Sequence, residues 1–123
     1  MQITDEAFQE LINKAFDSLP KTHRDSVQNV AILFADAPSP QQRVELKLAC
    51  NQTLLGLYQG VPLSQRQGRP SQMPDRITLF KLPLLQHASD MGELQEAIRH
   101  TLWHEIAHYY GLDHERIHEL EQK

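Results

Sequence analysis

Six apolar residues near the start of the chain, Phe8, Leu11, Ile12, Ala15, Phe16 and Leu19, recur at helical spacing until Pro20 stops them. Thr4 stands where an N-cap belongs, Asp5 and Glu6 suit the positive end of a helix dipole, and Ile3 can staple onto Phe8. This first helix reads as scaffold. Lys21 to Gln28 is a polar connection in which His23 reads as a surface residue. Val30 to Ala35 is then continuously apolar, short and partly β-branched, a pattern that predicts a strand buried on both faces and central in its sheet.

Asp36 to Pro40 breaks that strand. Ser39, Pro40 and Gln42 supply an N-cap, an N1 proline and a capping-box partner, and on that ground a short helix is expected although Val44 to Leu48 alternates like a strand. Thr53 to Leu63 mixes strand formers with Gly56 and Gly60, which predicts a strand that carries a bulge or lies close to another backbone. Ser64 to Pro74, with Gly68 and Pro70, reads as a loop. Arg76 to Lys81 is expected as a third strand, antiparallel to the second across that loop, with Pro83 ending it.

The last long periodic segment begins at a D-x-x-E capping box, Asp90 and Glu93, and closes at Gly111, giving a helix of roughly 20 residues and about 30 Å. Leu94, Ile98, Leu102 and Ile106 form a core stripe. Ala97, His100, His104 and His108 lie roughly opposite, and Trp103, Ala107 and Tyr110 make a third line. A helix with so little face left for solvent is expected to run through the middle of the domain, with the sheet on one side and the histidines on the other.

Bulk properties narrow the picture. The 123 residues make one domain, 1–123, large enough to bury its own core. Sixteen acidic residues against twelve basic ones leave a net charge of −4, which gives no electrostatic reason to expect nucleic acid or an anionic membrane as partner. No apolar run approaches the ~20 residues of a membrane span, and the start of the chain lacks a basic region followed by an apolar one, so a cytoplasmic location is expected. Cys50 is the only cysteine; it cannot form an internal disulfide and reads as a small buried hydrophobe, which leaves the histidines to hold any metal.

Those histidines are spaced for one. His104 to His114 reads HExxHxxGxxH. His104 and His108 are four residues apart, so on a helix both imidazoles share one face, about 6 Å apart. Glu105 follows about 100° round the helix, where its carboxylate can reach a metal-held water without being a ligand. Gly111 can end the helix and let the chain bring His114 back as a third nitrogen ligand, with Asp113 as the alternative. Three protein ligands and one open position are the plan of a catalytic zinc site, whereas four closed ligands are structural. His100 continues the histidine face one turn earlier and reads as packed or solvent-facing; His118 and Glu119 read as surface residues of a last short helix, Glu115 to Gln122.

Three segments, GLYQGVPL (Gly56 to Leu63), PDRITLFKLPLL (Pro74 to Leu85) and HEIAHYYGLDHERIHELE (His104 to Glu121), together resemble the small bacterial zincin-like metallopeptidase family. The resemblance covers roughly the last two thirds of the chain. It implies an α+β fold, a minimal zincin-like domain in which a small three-stranded mixed sheet packs against an N-terminal helix and a central HExxH helix. It also implies a zinc ion there, and hydrolysis of peptide or protein substrates. His104, Glu105 and His108 carry over directly; at the third ligand position that family often has an aspartate where His114 stands here. Metzincins share the longer motif but continue into a methionine turn, and with nine residues following His114 a true metzincin is not expected.

On this reading zinc held by His104, His108 and His114 acidifies water, and Glu105 accepts the proton as the water attacks a peptide carbonyl. Tyr109, Tyr110 or the loop after Leu63 could help stabilise the oxyanion, and the strand through Leu57 and Tyr58 is a candidate edge for an extended peptide. Two other classes stay open. Gly111, Asp113 and His114 also resemble the HxxxHxxGxDH pattern of a metal-dependent endoribonuclease of the ribosome-maturation type, which usually lacks a glutamate after the first histidine. The other is a non-catalytic, metal-stabilised binding module.

Overall fold

The computed structural model describes residues 2–20, 30–45, 54–60 and 75–110, with the side chains of 45 and 110 outside that description. His23, Cys50, the 64–74 loop, Gly111, Asp113, His114 and the expected last helix lie outside the described residues. Among those described, four helices and a three-stranded mixed sheet make an α+β fold.

Helix α1 (Asp5–Asp17) starts where the sequence places its cap: Thr4 Oγ1 accepts the Ala7 N–H at 3.1 Å. Its stripe buries Phe8, Ile12 and Ala15. Helix α2 (Pro40–Glu45) opens with both halves of the capping box, Ser39 N–H to Gln42 Oε1 at 2.8 Å and Gln42 N–H to Ser39 Oγ at 3.1 Å. That reciprocal pair starts the expected helix, which the described residues carry to Glu45; the rest of the alternating run, 46–48, lies outside them.

Strand β1 (Val30–Ala35) is parallel to β3 (Asp75–Phe80), and β2 (Gly56–Gln59) is antiparallel to β3 on its other side. The order β1-β3-β2 corrects the expectation for the first strand: β3 is central and β1 is an edge. Leu33 is accordingly 46% exposed, while Ile77, Leu79 and Phe80 of β3 are fully buried. The apolar run of β1 is covered on one face by α1, where the rings of Phe8 and Phe34 meet edge to face at 5.2 Å.

The third strand ends at Phe80, and a short helix α3 (Lys81–His87) follows where the sequence pattern gives no helix signal. Pro83 falls in its first turn, where a missing N–H costs no helical bond, so Pro83 lies inside the next element instead of ending the strand. The buried Lys81 at its start reaches Asp5 of α1 at 2.8 Å.

Helix α4 (Met91–Tyr110) begins at Asp90, whose Oδ1 accepts the Glu93 N–H at 2.8 Å. Leu94, Ile98, Leu102 and Ile106 are all buried, and each such side chain contributes roughly 1.5–3 kcal/mol of transfer free energy. They join Phe8, Ile12, Ile77, Leu79 and Leu84 in one core between α1, α4 and the sheet. The N-terminal half of α4 is more exposed than its pattern suggests, with Gln95, Glu96 and Arg99 in solvent; the C-terminal half is enclosed. No helix among the described residues is long and apolar enough to cross a membrane.

Candidate metal centre

The enclosed half of α4 carries His104, Glu105 and His108, whose potential ligand atoms all lie within 4.8 Å of one another. Helical periodicity alone places both imidazoles on one face, but they do not stack. Their ring centroids are 4.9 Å apart and the planes cross at 68°, edge to face. Two imidazole nitrogens and a carboxylate are donors zinc accepts, with bonds of about 2.1 Å. A span of 4.8 Å is little more than two such bonds, so small side-chain rotations would bring both imidazoles onto one ion without moving the helix. The residues present therefore fit a zinc ion.

Glu105 is held from outside its own helix. It is only 7% exposed, and its Oε1 accepts the backbone N–H of Tyr58 on β2 at 3.0 Å. In the antiparallel register Gly56 opposes Leu79 and Tyr58 opposes Ile77, while Phe80 N–H pairs with Leu55 C=O at 2.9 Å. That phase turns the Tyr58 N–H away from β3, to the opposite side of β2, where Glu105 takes it. The site thus lies against the β2 edge of the sheet, and the expected division of sheet on one side of the helix and site on the other does not hold. A carboxylate so deeply buried needs a fixed donor, and the sheet edge supplies one.

Close approach of β2 to α4 explains Gly56. A Cβ there would stand 2.7 Å from Thr101 Cγ2 and 3.3 Å from Glu105 Cγ. The glycine does mark a close approach, although the neighbours are side chains, Thr101 and Glu105 of α4 and Leu79 of β3, rather than a backbone.

Electrostatics follow from this burial. Desolvation pushes the Glu105 carboxyl up from an ordinary 4.5 to about 7, against the opposing pull of the His104 imidazole and the Tyr58 N–H. A group that holds its proton to neutral pH can both accept and return one there.

Of the residues singled out by sequence, the structure brings His104, Glu105 and His108 together; His114 and its alternative Asp113 lie outside the described residues. His100 is exposed and does not belong to the cluster. Tyr109 is buried beside the site, its ring edge to face with that of Tyr58 at 6.1 Å. Two participants were not foreseen, the Tyr58 N–H and the buried Asp75 that accepts the Tyr58 hydroxyl at 2.6 Å. The sequence signals near them are the pair of glycines flanking Tyr58 and the edge strand expected through Leu57 and Tyr58.

Residues 27–123 match the sequence model of a family described as zincin-like metallopeptidase. Among solved structures, the chain is similar to a conserved hypothetical protein from Thermo thermophilus, with a TM-score of 0.57 and 21% identity over 88% of this chain and 94% of that one. Likeness at that identity bears on the fold alone. No curated protein matches the chain.

Proposed function

The chain belongs to the zincin-like metallopeptidase family, and from that premise we propose that it is a zinc-dependent peptidase in which Glu105 is the general base. His104 and His108 would hold the ion, with His114 as third ligand. The observation that carries this reading is the placement of Glu105 beside the two imidazoles, anchored through Oε1 on the Tyr58 N–H.

A bound zinc ion supplies a Lewis acid that acidifies water and polarises a carbonyl at the site. Glu105, with Oε1 on the Tyr58 N–H, keeps Oε2 for the proton that water gives up as its oxygen bonds to the peptide carbon. When the C–N bond breaks, the same oxygen returns the proton to the leaving amine. Burial keeps bulk water from competing for that carboxyl. The substrate on this reading is a peptide or protein. An extended chain approaching β2 would find the Tyr58 donor already engaged and would have to pair elsewhere along that edge.

Glu105 also separates this reading from the ribonuclease alternative, whose pattern usually lacks it, and the net charge of −4 offers no match to a phosphate backbone. The test is elemental analysis of the parent, His104→Ala and Glu105→Gln proteins beside a peptide-cleavage screen. Stoichiometric zinc is expected in the parent and in Glu105→Gln, with loss in His104→Ala. Peptide cleavage should fall by at least about 100-fold in Glu105→Gln, which keeps an acceptor for Tyr58 but cannot take a proton. Cleavage undiminished in that variant would overturn the role of Glu105.

A further inference from the structure

Asp75 is the most deeply buried charged side chain described, 1% exposed, at the first position of the central strand β3. A carboxylate removed from water is costly unless hydrogen-bonded, and an apolar residue would serve packing better. Its Oδ2 accepts the Tyr58 hydroxyl at 2.6 Å, a short hydrogen bond. The two residues are diagonal across the β2–β3 pair, since Tyr58 opposes Ile77 and Asp75 lies two positions before it.

Gly60 closes the arrangement. Its φ of 156° is reached without strain only by glycine, and a Cβ there would collide with the Asp75 carboxyl group. Gly60, the residue after β2, is thereby packed directly over the carboxylate. β2 itself is a four-residue strand laddered to β3 on one side. Such a short edge frays easily unless a side chain fixes it.

Tyr58 is therefore held through its ring against Tyr109, its hydroxyl on Asp75 and its backbone N–H on Glu105. We infer that Asp75 and Tyr58 are positioning residues: the buried Asp75–Tyr58 hydrogen bond fixes the β2 edge so that the outward Tyr58 N–H holds Glu105 in place for proton transfer. This rests on the peptidase reading for its catalytic consequence but not for its geometry. Neither residue touches the reacting atoms. Both act through Glu105.

Amide hydrogen exchange on the zinc-loaded protein, with steady-state kinetics on a cleaved peptide, tests the inference. The outward amide at position 58 is protected by Glu105, whereas those at Leu57 and Gln59 turn into the ladder with β3. In Tyr58→Phe, exchange at position 58 is expected to rise about tenfold more than at its two neighbours, the size expected for loss of a hydrogen bond. With it, kcat should fall about tenfold while KM stays within about twofold. Asp75→Leu should reproduce the selective loss of protection, and Asp75→Asn, which keeps an acceptor for the hydroxyl, should restore most of it.

Unchanged exchange at position 58 in both Tyr58→Phe and Asp75→Leu would overturn the inference. So would an equal rise at all three amides, because the pair would then stabilise the strand without holding Glu105. If one variant fails to fold, the other carries the same comparison. Absence of peptide hydrolysis by the parent protein would sink the peptidase reading alone, since exchange is read without turnover.

Discussion

Tyr58 and Glu105, 47 residues apart in the chain, meet through a hydrogen bond of 3.0 Å from the Tyr58 backbone N–H to Glu105 Oε1. This contact joins the edge of the sheet to the helix that carries the candidate metal ligands. It makes the position of one side chain depend on how closely β2 can lie against α4.

That dependence can be tested at Gly56. An added methyl would stand 2.7 Å from Thr101 Cγ2, and also 3.2 Å from Leu79 Cδ2, so Gly56→Ala is expected to cost about 1–3 kcal/mol. Thr101→Ser removes Cγ2, and the double variant should recover more than half of the loss. Urea denaturation of the four proteins measures this coupling. Strictly additive losses would show that the two positions do not crowd one another.

A second prediction concerns the clip between α1 and α3. Lys81 is buried whereas Asp5 is 70% exposed, although their charged groups lie 2.8 Å apart. Removing Asp5 strands a buried ammonium, while removing Lys81 leaves a solvated carboxylate at a helix N-terminus, where it remains favourable. Asp5→Ala should therefore destabilise the fold by about 1–3 kcal/mol, and Lys81→Met by distinctly less. Thermal denaturation of both variants decides it; equal losses, or a larger one for Lys81→Met, would contradict the asymmetry.

The elements legible in the sequence were those whose causes are local. Ser39 with Gln42 and Asp90 with Glu93 announce helix starts within four residues, and His104 with His108 shares a helix face by spacing alone. Pro83 misled because a proline in a first turn and a proline after a strand look alike until the turn is seen. Val30 to Ala35 misled because an edge strand roofed by the Phe8 ring is as apolar as a central one. Asp75, Tyr58 and Glu105 come from three elements, and no periodicity links them. Only Gly56 and Gly60 hinted at close approach, without saying to what.

The corrected sheet order has an energetic consequence. Leu79 on the central strand is fully buried and Leu33 on the edge strand is 46% exposed. Leu79→Ala should cost about 2–5 kcal/mol, and Leu33→Ala less than about 1 kcal/mol. Chemical denaturation midpoints at equal m-values test this. Comparable losses at the two positions would mean that β1 is covered on both faces after all.

The last prediction follows from the raised proton affinity of Glu105 in the metal-free protein. Burial lifts its pKa to about 7 from an ordinary 4.5, so between those values the folded chain keeps a proton that the unfolded chain has released. Stability contributed by this group is complete below pH 4.5, declines as pH rises, and is lost above about 7, a difference of about 3 kcal/mol. Glu105→Gln removes the titration while keeping the hydrogen bond to Tyr58. The variant should therefore gain on the parent as pH rises from 5 to 8, as read from urea unfolding in the presence of a chelator. Zinc brings positive charge to the same place and should expel the proton. Calorimetric titration with zinc near pH 6, in buffers of different ionisation enthalpy, should release more protons from the parent than from Glu105→Gln. A stability difference independent of pH, together with equal proton release, would mean that Glu105 is already ionised in the metal-free fold.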